Sequence, residues 1–254
     1  DLANTSARLP ATIQDTKVLA MGVSNAVGGF PVLSNVPTEV DNIVRNSKTD
    51  QGVYPGKEYL NESFDYETLR NNLTGNNILH LATHGKFVPG KKKASYLLLG
   101  KGNGDSDIPK LTISQIQKLA LSDIHLVVLS ACQTALASKR QDGVEIASLA
   151  YAFINRGAKS VIASLWQVAD NSTSTLMQNF YKNLAKNKSN ITKSEAMRLA
   201  QLQLLYNKDV TVDDIKRGGL IREGLPSSSR KEPESKTFAH PYYWAPFVLI
   251  GNGL

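Results

Sequence analysis

Cysteine is nearly missing from this sequence: Cys132 is the only one in 254 residues, so no disulfide can form within the chain. No apolar run approaches the ~20 residues that cross a bilayer, and no charged-then-apolar leader with a small-residue cleavage site opens the chain. Together these absences lead us to expect a soluble chain in a reducing, cytoplasmic setting with no membrane partner. The start at Asp1, without a methionine, reads as a piece of a longer chain. Other absences narrow the chemistry. There is no Gly-x4-Gly-Lys-Ser/Thr loop for nucleotide hydrolysis, no Gly-x-Ser-x-Gly elbow for a serine hydrolase and no His-Glu-x-x-His helix for zinc. Gly100 to Asp107 lacks the spacing of an EF-hand. The expectation is an enzyme or module without metal or cofactor.

At 41% hydrophobic and 20% charged residues the chain is rich enough in apolar side chains to bury one sizeable core. Its net charge of +7 invites an acidic partner or nucleic acid. Much of the excess, however, sits in loop-like stretches such as Lys91-Lys92-Lys93 and Lys139-Arg140, so nucleic-acid binding is disfavoured.

Taken in order, residues 1–16 are polar and read as a tether, and 17–254 as one domain. Lys17 to Val23 is a buried strand, and a loop with Gly28-Gly29 and Pro31 follows it. Pro37 opens a short helix with Val40, Ile43 and Val44 at helical spacing. Tyr66 to Leu73 is a second helix. Asn77 to Thr83 is a strand expected to break at His84-Gly85, and Tyr96 to Leu99 is another. Thr112 is an N-cap for Ile113 to Leu119, with Gln115 at the capping-box position. Ile124 to Leu129 is apolar without alternation, as in a strand covered on both faces. Val144 to Arg156 is a helix closed by Gly157, Ser160 to Trp166 a strand, and Ser172 to Ala185 and Thr192 to Tyr206 are helices. Residues 207–236, with Gly218-Gly219 and Ser227-Ser228-Ser229, read as a disordered insertion before a last strand, Phe247 to Ile250. Strands alternating with helices predict an α/β fold, a mostly parallel sheet with helices on both faces.

Chemistry concentrates where two strands end. The first runs to Thr83 and leads to His84; the second runs to Ala131 and leads to Cys132. Carboxyl ends of strands in open α/β sheets are where crevices form. If the two strands are parallel neighbours they lie about 4.8 Å apart, close enough for a histidine to assist a thiolate nucleophile. That arrangement suits a cysteine hydrolase. Gly85 allows close backbone approach, so its N–H and that of Cys132 are candidate oxyanion donors.

Four segments then carry a resemblance: His80-Leu-Ala-Thr-His84-Gly85, Leu129-Ser-Ala-Cys132-Gln-Thr134, Gly157-Ala-Lys-Ser-Val-Ile-Ala-Ser-Leu-Trp166 and His240-Pro-Tyr-Tyr-Trp244-Ala-Pro-Phe247. In this order they resemble the CHAT family of caspase-like cysteine peptidases, whose members are often bacterial, notably cyanobacterial. The resemblance spans roughly residues 17–254. It implies a caspase-haemoglobinase fold, His84 and Cys132 as a catalytic dyad, and hydrolysis of peptide bonds in a protein substrate. It also implies an amino-terminal repeat domain, often tetratricopeptide, as a regulatory companion. Similarity to separases extends to Trp166-Gln-Val-Ala-Asp170. It implies that Asp170 recognises a basic residue before the scissile bond, Arg first and Lys second, since a carboxylate pairs bidentately with Arg. Two positions depart from relatives in the clan: Gln167 replaces an acidic residue, and Ser130 stands where metacaspases have Asp. The loop Ala135 to Gly143 falls where caspases carry an activation linker, which makes Arg140 a candidate self-cleavage site, with Arg217, Arg222 and Arg230 as rivals.

Each of these residues has a blander reading. A lone cysteine at a strand end is commonly a small buried hydrophobe. Asp170 and Glu145 both stand where a helix's first turn favours an acidic residue anyway. Four residues along a strand separate His80 from His84 by about 13 Å, too far to share zinc, so His80 reads as structural, like His125 and His240. Trp166 and Trp244 read as core or pocket wall. The rival to the peptidase is a restrained or silent caspase-like scaffold acting as a protein interaction module.

Overall fold

Alternate residues of the central strands bury into two different cores, and this sets the architecture. The computed structural model describes residues 8–47, 49–86, 88, 94–100, 108–133, 144–186, 191–216 and 238–254. In strand β1, Val18–Gly22, every residue is buried. Val18 and Ala20 join one apolar cluster, while Leu19 and Met21 join the other. A strand that is apolar on both faces can only lie inside a sheet covered twice.

The remaining elements follow in chain order: helix α1 (Val36–Ile43), β2 (Val44–Arg45), β3 (Tyr54–Leu60), α2 (Tyr66–Asn72), β4 (Ile78–Lys86), β5 (Tyr96–Leu98), β6 (Lys110–Thr112) and α3 (Ile113–Ile116). Then come β7 (Leu126–Gln133), α4 (Val144–Ile154), β8 (Ser160–Ser164), α5 (Asp170–Lys186), α6 (Lys193–Tyr206), α7 (Val212–Lys216) and β9 (Phe247–Gly251). Among the described residues the sheet has nine strands, with the main path β2-β3-β1-β4-β7-β8-β9 and β5 and β6 joined through β4. Its pairs along the main path are parallel from β2 to β8, and only β9 returns antiparallel.

On one face α1, α5 and α6 supply Val40, Ile43, Leu176, Phe180 and Ala200; on the other α2, α3 and α4 supply Leu69, Ile116, Leu149 and Phe153. Fully burying a Leu or Phe contributes about 1.5–3 kcal/mol, so the two layers are the main source of stability. The helix ends match their sequence signals. Thr112 and Gln115 form a reciprocal capping box, and Thr192 Oγ1 accepts from Glu195 N at 3.2 Å.

Several expectations need correction. β4 does not break at His84-Gly85 but continues to Lys86, because β5 pairs with Gly85 and Lys86 where β1 has ended. Residues 8–16 are not a bare tether: Leu9 and Ile13 pack against the α1/α5/α6 cluster, and Thr16 is buried. The segment from Asn207 is built into the fold as far as Lys216, with Asn207 in the left-handed conformation closing α6, Val210 buried and α7 following. Residues 217–236 of the expected insertion lie outside the described residues, as do Lys91 to Lys93 and Arg140.

Candidate functional site

β4 and β7 are parallel neighbours, and their register sets His84 opposite Cys132. Parallel neighbours in a sheet are about 4.8 Å apart, so the two backbones meet at one point of the sheet. β8 pairs with β7 only at Val127 and Val128, and β7 then runs on from Leu129 to Gln133 past that pairing. β7 thus extends beyond its pairing with β8 on the carboxyl side of the sheet, the side where crevices form in open α/β folds.

His84 is only 1% exposed. Its Nε2 lies 2.8 Å from the carbonyl oxygen of Pro31. A carbonyl only accepts, so Nε2 carries the hydrogen and, in the neutral ring, Nδ1 is a bare lone pair. That Nδ1 is buried and has no hydrogen-bond partner among the described residues. The Phe30 ring stacks on the imidazole at 5.1 Å between centroids. Burial pushes the His84 pKa below its ordinary 6.5, against the Pro31 hydrogen bond and the Asp170 carboxylate, which both favour the charged ring. The balance leaves a neutral imidazole at pH 7, the form able to accept a proton.

The holding loop is local in origin. β1 ends at Gly22, and Gly28 and Gly29 adopt positive φ of 59° and 83°, which a side chain would resist. Their turn brings Phe30 N to Val27 O at 3.0 Å and so delivers Phe30 and Pro31 over His84. Asn61 pins the start of the loop, its Oδ1 accepting from Ser24 N at 2.9 Å and Asn25 N at 3.0 Å.

Asp170 is the first residue of α5, and its Oδ2 accepts from both the main-chain N and the Nδ2 of Asn35, each at 2.8 Å. Gly85 lies within the β4 ladder, in register with Leu97 and Gln133. Trp166 is partly exposed just beyond β8, its Nε1 donating to Tyr242 O at 3.1 Å. His80 faces a different set of partners, Tyr181 Oη at 3.1 Å from Nδ1 and Glu39 Oε1 at 2.9 Å from Nε2, the latter too poorly aligned for a hydrogen bond. His80 is thus a buried link among α1, β4 and α5. The sequence reading missed Phe30, Pro31 and Asn35; the one signal was a Gly-Gly and a proline in the loop leaving a strand's carboxyl end.

A family model described as the CHAT domain matches residues 2–252. The chain belongs to the CHAT domain family. Tetratricopeptide repeat protein 28 of Mus musculus is 29% identical over 143 residues, which is 56% of this chain and 4% of that protein. The human protein of the same name is 29% identical over 157 residues, 59% of this chain and 5% of its own length. The chain thus spans a small fraction of the length of the curated relatives it matches. Among solved structures, the Arg specific cysteine proteinase gingipain R superposes with a TM-score of 0.54 at 9% identity, over 97% of this chain and 49% of that one. The likeness shows the fold: this CHAT domain has the caspase-like sheet of that cysteine proteinase. Among its described residues no helix is long and apolar enough to cross a membrane.

Proposed function

We propose that this CHAT domain is a cysteine endopeptidase in which Cys132 is the nucleophile and His84 its base. The observation that carries the reading is the register of His84 against Cys132, together with a His84 ring whose Nε2–H is taken by Pro31 and whose Nδ1 is bare. In the reaction Nδ1 takes the thiol proton, and the thiolate attacks the carbonyl carbon of the scissile peptide bond. The main-chain N–H of Cys132 is the donor proposed for the tetrahedral oxyanion; Gly85, the second candidate, lies inside the ladder between β5 and β7. Collapse breaks the C–N bond, the leaving amine takes the proton from Nδ1, and a thioester remains. Water then attacks the thioester, His84 again accepting a proton and returning it to the departing thiolate. No cofactor enters these steps.

Asp170 is proposed to select a basic side chain before the scissile bond, Arg ahead of Lys, because its second carboxylate oxygen is not taken up by Asn35. The substrate is a protein. Arg140 remains a candidate self-cleavage site; incubating active protein beside Cys132→Ala tests it, and an identical single band in both removes it.

The test of the main reading is cleavage of a mixed peptide library by wild type and Cys132→Ala, with products sequenced by mass spectrometry. Cysteine-dependent cuts after Arg or Lys support the peptidase and its acidic pocket. Cuts after other residues keep the enzyme and remove the pocket.

One observation favours the second reading, a restrained scaffold: at 1% exposure the His84 ring is closed to a substrate until the Phe30-Pro31 loop moves. A regulatory protein, or a repeat-bearing segment such as the curated relatives' names describe, is the proposed agent of that movement. If no peptide is cut by either protein, this reading takes precedence.

A further inference from the structure

Asn35 precedes the first residue of α1, a position where Asn ordinarily caps its own helix for about 1 kcal/mol. Here it makes no side-chain bond to that helix. Both of its donors go instead to Asp170 Oδ2, on a helix 135 positions away in sequence. Four residues before Asn35, the Pro31 carbonyl takes the Nε2 hydrogen of His84. Between them Leu33 is buried, and its N donates to Ser24 O at 2.9 Å. The stretch from Pro31 to Asn35 is therefore tied at one end to His84, in the middle to the β1 loop, and at the other end to α5.

We infer that Asn35 is a positioning residue for His84 and that the Asp170 carboxylate is its anchor. The inference deepens the peptidase reading and rests on it for its catalytic consequence. Asp170 then has a task separate from recognising a basic side chain: Oδ2 fixes the loop, which leaves Oδ1 to meet substrate. Bonds of an ionised acceptor to two donors are stronger than neutral ones, which suits an anchor. Without it the Pro31 carbonyl drifts, Nε2 loses its acceptor, and the imidazole is free to take the other tautomer. A ring with hydrogen on Nδ1 has no lone pair there with which to take a thiol proton.

The experiment compares wild type with Asn35→Ala by three readings on the same preparation. The first is 15N NMR of histidine-labelled protein, the His84 signal assigned with His84→Gln. Wild type is expected as the Nε2–H tautomer alone, and Asn35→Ala as a mixture. The second is the rate at which iodoacetamide alkylates the single cysteine as pH is varied, which needs no substrate and is expected to slow in the variant. The third is peptide cleavage, where kcat is expected to fall about 10- to 100-fold with KM for an Arg substrate nearly unchanged. Asn35→Ser, which like Asn35→Ala keeps the main-chain donor but adds a hydroxyl, is expected to restore part of the loss.

Asn35→Ala with the pure Nε2–H tautomer overturns the inference, whatever its activity. A tautomer mixture, with alkylation and cleavage indifferent to both Asn35→Ala and His84→Gln, upholds the anchor and removes the peptidase reading instead. Asp170→Leu, which keeps much of the side-chain volume and removes the acceptor, supplies the same NMR reading should Asn35→Ala fold poorly; an unmixed tautomer there also overturns the inference.

Discussion

One oxygen of Asp170 receives both donors of Asn35, so the first residue of α5 and the residue leading into α1 are bound at a single point beside His84. Asp170→Ala is accordingly expected to do two things at once. Cleavage after Arg should fall, and the unfolding free energy should drop by roughly 1–3 kcal/mol as two donors lose their acceptor. Denaturant unfolding alongside cleavage assays checks both. Undiminished cleavage after Arg removes Asp170 from substrate recognition.

His84 gives stability a definite pH dependence. Its folded pKa is held below 6.5, chiefly by burial, so between that value and 6.5 the unfolded chain binds more protons than the folded one. The stability His84 contributes is present above about pH 6.5 and is lost as pH falls through its folded pKa. Urea midpoints from pH 7.5 down to 5 should fall more steeply for wild type than for His84→Gln. Parallel curves would mean that the ring titrates at its ordinary value.

The Phe30 ring covers His84 and contributes to its desolvation. Phe30→Ala should raise the His84 pKa toward 6.5 and shift the acid limb of kcat/KM upward with it. An unmoved limb in a pH–rate profile would place the desolvation elsewhere.

Behind the site, Glu39, His80 and Tyr181 are buried together. Tyr181→Phe removes the one hydrogen bond to His80 and should cost about 1–2 kcal/mol, whereas Glu39→Ala, which removes a contact too poorly aligned to bond, should cost less. The ranking is the test, read from chemical denaturation; an equal or reversed order would show that Glu39, not Tyr181, is the main partner of His80.

Lys193 is 1% exposed, and burial lowers its pKa to about 8 from 10.5. Between those two values the unfolded state holds the extra proton, so stability should climb as pH rises from 8 to 10.5. Lys193→Met should flatten that climb in thermal melts, and an unaltered slope would assign it to other groups.

The strands whose residues are apolar on both faces were legible because burial on two sides leaves a continuous hydrophobic run, as in Leu126 to Leu129. β3 was not legible. It carries Pro55 and Gly56, which read as breakers, yet a Cβ on Gly56 would lie 2.1 Å from Val18 O, so the glycine serves close strand approach. Gly85 misled in the same way, because the sequence does not show that β5 will pair there. The juxtaposition of His84 and Cys132 on neighbouring parallel strands was legible, though both lie within their strands rather than beyond their ends. Asn35 was not, since its partner is far along the chain and its usual helix-capping role predicts a different bond.

The parts that ready His84 come from distant stretches of chain: Pro31 and Asn35 from the first, His84 from β4 and Asp170 from α5. A chain still being synthesised has made Cys132 before it has made Asp170, so the thiol exists before the anchor of its base. On this reading newly made or partly melted protein is harmless to its neighbours. Completion of folding is then the first condition the site must meet, set before any movement of the Phe30-Pro31 loop.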